Sequence, residues 1–279
     1  MTTDVNADQL RADVEAVIAR ASGEIAVAID LRGGDFGQVR LGSDARFPAA
    51  SIVKLAVLLT VLTHVDRGRL ALDDVVPLDR SADVGGFGVL VDVPSVHSLR
   101  LRELLALMIG FSDNTASNAC IDLVGLDEIA VALDSAGLRD TTVQRRLMDL
   151  HAEEAGLRNE VTAADAARLV WLLVGGTAVS PRLRDVAWQL LLGQRVNDRL
   201  PRKLHPDVVI GHKTGELPGV RHDVGILQYA DRRAAVAVLT RGFTDQRTAQ
   251  CNDGGDACDL IAEIGRIVGT HLRTGKAAV

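Results

Sequence analysis

Aromatic side chains are scarce in this chain. Phe, Trp and Tyr make up 3% of its 279 residues, so the core has to be built from Ala, Val, Leu and Ile. No stretch is rich in Lys and Arg and the net charge is −6, which removes the electrostatic basis for binding nucleic acid. A membrane-spanning helix takes about 20 apolar residues, and the longest apolar run, residues 55–62, falls far short. Cysteines are few and odd in number. Cys120, Cys251 and Cys258 have no metal-ligand spacing and read as buried, reduced thiols. No H-E-x-x-H pattern or dinucleotide fingerprint occurs, so neither a metal nor an organic cofactor is expected. The N-terminus has early acidic residues and places Leu10, Val14, Val17 and Ile18 at helical spacing. That pattern is an amphipathic helix, not a signal peptide. The expectation is a soluble, cytoplasmic protein, or a secreted one if a leader precedes this sequence. Nothing in the sequence indicates an oligomeric state.

The rest of the composition is ordinary for a globular protein, with 47% hydrophobic and 24% charged residues. The length suits one domain or two interleaved lobes. Residues 23–31 are β-rich and run into the Gly33-Gly34 turn, with residues 38–41 as the hairpin partner. Leu55, Leu58, Leu59 and Leu62 repeat at helical spacing in a helix from Ser51 to about Val65. Further helices are expected over residues 98–109, 114–124, 126–136, 162–174 and 181–192. Strands return at 208–213, 224–229 and 234–240, before a last helix over 257–271. Short turns between consecutive strands imply antiparallel pairing. The expected fold is α/β of the α+β type: a five-stranded antiparallel sheet flanked by the terminal helices, plus an all-helical lobe. One domain, 1–279, then has a sheet lobe (1–50 and 200–279) and a helical lobe (51–199).

Three short motifs occur in order: Ser51-Ile52-Val53-Lys54, Ser112-Asp113-Asn114 and Lys213-Thr214-Gly215. Each alone is weak; the ordered set S-x-x-K, S-D-N and K-T-G is a catalytic signature. A serine hydroxyl is a poor nucleophile until a base takes its proton. Three residues apart on a helix, Ser51 and Lys54 share a face. A lysine serves as base only if its pKa falls from about 10.4 towards 7–8. Burial and a second ammonium, Lys213, both push that way. Ser112 suits a proton relay to the leaving group, and Asn114 suits a substrate amide. Thr214 and Gly215 sit at the end of a strand where an extended substrate docks, with Thr214 placed for a carboxylate. The backbone amides of Ser51 and Glu216 are the expected oxyanion hole.

At these residues the sequence resembles the class A serine β-lactamases and their penicillin-binding relatives. Residues 47–62 (FPAASIVKLAVLLTVL), 101–118 (LRELLALMIGFSDNTASN) and 211–227 (GHKTGELPGVRHDVGIL) carry the resemblance, which covers most of the chain. The spacing between motifs agrees with the family's. The resemblance implies a small-molecule substrate, attack on a lactam carbonyl, an acyl-enzyme on Ser51, and then hydrolysis. Two other outcomes stay open: a relative cleaving a non-lactam ester or amide, and a penicillin-binding protein that acylates but releases slowly.

The sequence departs from the family where deacylation is decided. The family carries a Glu four residues before an Asn; four before Asn159 stands Ala155. Glu154, one residue off, is the candidate carboxylate, with Glu153 and Asp149 further away. The carboxylate-binding arginine is either Arg199, fourteen residues before Lys213, or Arg221. His212 and His222 flank the K-T-G strand and read as structural. Residues 85–88 (Gly-Gly-Phe-Gly) read as a flexible loop at the pocket mouth.

Overall fold

The structure, a computed structural model, describes residues 4–32, 37–243 and 257–274. In chain order the elements are α1 (Asp4–Ile18), β1 (Glu24–Arg32), β2 (Gln38–Leu41), β3 (Phe47–Pro48) and α2 (Val53–Asp66). Next come β4 (Val75–Pro77), β5 (Ser98–Arg100), α3 (Leu101–Gly110), α4 (Asn114–Val124) and α5 (Leu126–Ser135). They are followed by β6 (Thr142–Val143), α6 (Leu150–Glu154), β7 (Asn159–Val161), α7 (Ala163–Val174) and α8 (Pro181–Leu192). The last elements among the described residues are β8 (Val209–Leu217), β9 (Val220–Tyr229), β10 (Arg232–Arg241) and α9 (Ala257–Thr274).

The main sheet has five strands in the order β2-β1-β10-β9-β8, all antiparallel, and joins both ends of the chain as expected. Its central pair, β1 and β10, aligns Ala28 with Ala237. Both faces are covered, which is why Ile25 to Ile29 is an unbroken apolar run and not an alternating one. Ala26 and Ala28 face a core shared with α2, α3, α4 and α7. Ile25, Val27 and Ile29 face a second core built with Leu10 and Val14 of α1 and with Ile261, Ile264 and Val268 of α9. The helix α2 is buried on every side from Val53 to Leu62, so its first turn is held rigidly by the core.

Several boundaries differ from expectation. Ser98–Arg100 is a short strand on Val75–Pro77, not the first turn of a helix. The helix starts later because the Glu103 carboxylate accepts from the Arg100 amide at 2.7 Å, capping it there. The strand carrying Lys213 runs on to Leu217, so K-T-G lies inside a strand and not at its end. Two small sheets, β3-β7-β6 and β4-β5, carried too little periodicity to be read. Cys120 is a buried free thiol, but Cys258 is disulfide-bonded, correcting the expectation of reduced thiols there. Cys251 and the Gly33-Gly34 turn lie outside the described residues. No helix among the described residues is long and apolar enough to cross a membrane.

Candidate active site

The Ser51 segment is built as a tight corner. Pro48 closes β3, Ala50 takes a left-handed φ of 45°, and residues Ala50–Ile52 form a single 3-10 turn before α2. Strain of this kind, costing about 1–3 kcal/mol per residue, persists only where the surroundings enforce it. Two contacts do so here. His222 on β9 bonds the Pro48 carbonyl through Nε2 at 2.8 Å, while its Nδ1 accepts from the Thr240 amide at 3.0 Å. Burial pushes the His222 pKa down to about 4. Gly215 docks β8 on the corner: a Cβ there would lie 3.1 Å from Ile52 Cγ1 and 3.3 Å from Ala50 Cβ.

Ser112 is brought in from the start of α4. It too has a left-handed φ, 53°, and is followed by Asp113, the N-cap, whose Oδ1 accepts from the Ala116 amide at 2.8 Å. Asp113 Oδ2 accepts from the Val89 and Leu90 amides, and Asn114 Nδ2 donates to the Gly85 carbonyl at 2.9 Å. The Gly85-Gly86-Phe87-Gly88 segment, expected to be a loose loop, is therefore pinned to the S-D-N turn. Gly88 is required there: at φ 123° a Cβ would fall 2.3 Å from Asp113 Oδ2.

These elements bring the three motifs into one hydrogen-bonded cluster. Ser51 Oγ lies 3.0 Å from Lys54 Nζ and 2.9 Å from Ser112 Oγ. Ser112 Oγ lies 2.9 Å from Lys54 Nζ and 3.0 Å from Lys213 Nζ. Both lysines are fully buried, at 0% exposure, whereas Ser51 is only half-buried and open to a substrate. Burial, then the charge of Lys213, holds the Lys54 pKa well below its ordinary value, against a smaller opposing pull from Asp113. Burial, then the charge of Arg199, brings Lys213 down to about 7. An uncharged Lys54 amine has two N–H groups and one lone pair. The Ser112 carbonyl at 2.5 Å and Asn114 Oδ1 at 2.9 Å are pure acceptors and take the two protons. The lone pair is then left for a serine hydroxyl.

The other expected residues fall into two groups. Thr214 and Gly215 lie beside Lys213 on β8, an edge strand of the sheet, where one row of backbone amides has no strand partner. Arg199 and Arg221, the two candidate carboxylate ligands, converge on Glu216: Arg199 Nη2 at 2.5 Å and Arg221 Nη2 at 3.4 Å. Glu154 is not brought to the cluster. It is exposed on α6, and among the described residues no carboxylate hydrogen-bonds to Ser51, Lys54 or Ser112. The reason is local. Asp149 caps α6 at Ala152, and Glu153, not Glu154, pairs with Arg145 at 2.9 Å across the loop surface.

Of the residues that hold these parts in place, the sequence marks Asn159 only as the point from which the family's Glu is counted, and gives Asn118 and Asp223 no role. Asn159 closes the base of the 144–158 loop, accepting from the Gln144 and Arg145 amides and donating to the Arg145 carbonyl. Asn118 clamps the same loop through both the amide and the carbonyl of Leu147. Its place four residues after Asn114, on the same helix face, was the available signal. Buried Asp223 ties His212 Nδ1 at 2.8 Å to the Leu200 amide at 3.0 Å, fixing Arg199 beside β8. A carboxylate in the middle of an apolar strand was its signal.

Comparison with known proteins agrees with this geometry. Residues 9–272 match the model of the Beta-lactamase enzyme family. The solved beta-lactamase of Sphaerobacter thermophilus is 31% identical, covers 96% of this chain and 97% of its own, and superposes with a TM-score of 0.80. The extended-spectrum beta-lactamase PER-1 of Pseudomonas aeruginosa is 23% identical over 250 residues, 85% of this chain and 80% of that protein. The beta-lactamase regulatory protein BlaB of Streptomyces cacaoi is 25% identical over 283 residues, 85% of this chain and 89% of that protein. With its family matched over nearly the whole length, and with β-lactam hydrolysis as the activity this homology supports, the chain belongs to the beta-lactamase enzyme family.

Proposed function

We propose that the protein opens β-lactam rings through an acyl-enzyme on Ser51. The observation that carries this reading is the cluster in which a half-buried Ser51 Oγ meets Lys54 Nζ at 3.0 Å, with Lys54 depressed by burial and by Lys213. Lys54 takes the hydroxyl proton as Ser51 Oγ attacks the lactam carbonyl. The carbonyl oxygen becomes an oxyanion facing the Ser51 and Glu216 amides. The carbon–nitrogen bond then breaks, and the ring nitrogen receives a proton passed from Lys54 through Ser112 Oγ. This leaves an ester on Ser51, which water hydrolyses to restore the serine. Asn114, through the Nδ2 proton not given to Gly85, faces the substrate's amide, and Thr214 faces the group beside its ring nitrogen. No cofactor enters these steps.

A second reading is favoured by one observation: Glu154 is exposed and no carboxylate joins the cluster among the described residues. On this reading the protein acylates readily and releases slowly. That fits a family containing a protein named for regulation as well as ones named for hydrolysis. The disulfide at Cys258 favours an oxidising compartment over the cytoplasm.

Nitrocefin and a p-nitrophenyl ester, followed by absorbance and by intact mass, separate the readings. Steady nitrocefin turnover supports the first. A lasting adduct without turnover supports the second. Ester turnover alone sinks both and leaves a non-lactam esterase.

A further inference from the structure

The charged end of the site is arranged unlike a plain anion pocket. Two guanidiniums lie there, and both already pair with the same carboxylate, with Asp198 a further 3.7 Å from Arg199 Nε. Arg199 is 1% exposed and gives Nη2 to Glu216 Oε2; Arg221 gives Nη2 to Glu216 Oε1 and Nη1 to the Leu217 and Val220 carbonyls. Glu216 stands directly opposite Arg221 in the β8–β9 ladder, one residue beyond Gly215, so its backbone belongs to the substrate-docking strand. Its side chain is only partly exposed, at 19%. A buried guanidinium needs a partner, because an unpaired buried charge is costly. Glu216 supplies the hydrogen-bonded partner from within the protein, with Asp198 as a more distant second carboxylate.

We infer that Glu216 sets which charge the substrate carries at this end of the site: it fills the anion position between Arg199 and Arg221 and disfavours substrates bearing a free carboxylate there. The inference rests on the acyl-transfer reading of Ser51. A penicillin or cephalosporin carries a carboxylate beside its ring nitrogen. To reach either guanidinium, that carboxylate must displace Glu216 or lie against it, and two adjacent carboxylates repel. A substrate that is neutral at the same position meets no such repulsion, and one with an N–H finds an acceptor in Glu216.

The test compares nitrocefin with its methyl ester, which differ only in that carboxylate. Wild-type protein and Glu216→Gln are assayed for kcat/KM on both, with Ser51 adducts followed by mass. Gln keeps the backbone amide and nearly the same shape while removing the charge. The expected result is that the acid-to-ester ratio of kcat/KM rises roughly tenfold in Glu216→Gln, the size of one recovered charge-assisted contact. The change should sit in KM and shrink at high salt. Glu216→Ala, which removes the carboxylate differently, should move the ratio the same way and guards against a folding defect peculiar to one variant. An unchanged or lower ratio in both variants overturns the inference while leaving the Ser51 reading intact. If wild type neither turns over nor is acylated by either compound, the underlying reading fails and the inference with it.

Discussion

Lys54 and Lys213 approach the same oxygen from two sides: their Nζ atoms lie 2.9 Å and 3.0 Å from Ser112 Oγ. Two buried amines sharing one hydroxyl cannot both stay charged cheaply, and each lowers the charge its neighbour tolerates. Ser112 thereby becomes the hinge of proton traffic between the group that activates Ser51 and the group that faces the substrate. Replacing Lys54 with Ala should slow acylation by a factor of about 10²–10⁴, the usual size of a general base. Stopped-flow measurement of adduct formation checks this. An unchanged rate removes Lys54 from the mechanism.

The Lys213 pKa of about 7 places its charge change near neutral pH. If its charged form helps to bind and protonate, kcat/KM falls as pH rises through about 7. Lys213→Arg keeps the charge at all accessible pH, since guanidinium titrates above about 12. The alkaline limb should therefore disappear in that variant, whatever its absolute rate. A limb that persists at the same pH assigns the titration to another group.

The same shift has a stability consequence. The unfolded chain holds the Lys213 proton up to about 10.5 while the folded chain sheds it near 7. Between those values the unfolded state binds more protons, so stability rises with pH across that window. Lys213→Met should flatten this slope and raise the melting temperature most at pH values below 7. Calorimetry at pH 6 and pH 9 reads the difference; equal gains at both would contradict it.

His222 gives the corresponding acid-side effect. Its folded pKa of about 4 lies below the unfolded 6.5, so the proton is bound first by the unfolded chain. Stability contributed by the neutral ring is complete above 6.5 and is lost as pH falls towards 4, by about 3 kcal/mol in all. Denaturant titrations of wild type and His222→Gln across that range should show the slope in the first and its loss in the second. Because Nε2 holds the Pro48 carbonyl, the variant should also acylate more slowly at pH 7, where the ring is neutral.

The 144–158 loop depends on a few side-chain amides. Asn159→Ala removes three hydrogen bonds at its base, one exposed and two part-buried, and should cost about 1 kcal/mol, since water can replace part of what is lost. Limited proteolysis should then cut within residues 144–158 before any other part of the chain. Cutting elsewhere first would show that the loop does not rely on Asn159.

How much of this was legible in the sequence follows from which interactions are local. The S-x-x-K pair is one helical turn, and the apolar runs of β1, β9 and β10 dictate a sheet buried on both faces, so these were readable. K-T-G was misplaced to a strand end because Glu216 and Leu217 look like loop residues; only pairing with Val220 and Arg221 makes them strand. The Ser98–Arg100 segment was misread because its three residues pair with a strand more than twenty residues earlier. Arg199 and Arg221 were each read as ligands for the substrate. Their convergence on Glu216 is a three-body contact across separate segments, which no spacing reveals. Counting along the chain points to Glu154, but α6, capped by Asp149, leaves it exposed and gives the Arg145 ion pair to Glu153.

The central claim is that Ser51 carries the acyl group. Incubating wild-type protein and Ser51→Ala with penicillin, quenching in acid within milliseconds to minutes, and mapping the mass of each peptide tests it most directly. The account predicts a gain of one intact penicillin on the peptide containing Ser51 in wild type and none in Ser51→Ala. An adduct on another residue, or Ser51→Ala acylated or turning over at the wild-type rate, would contradict it.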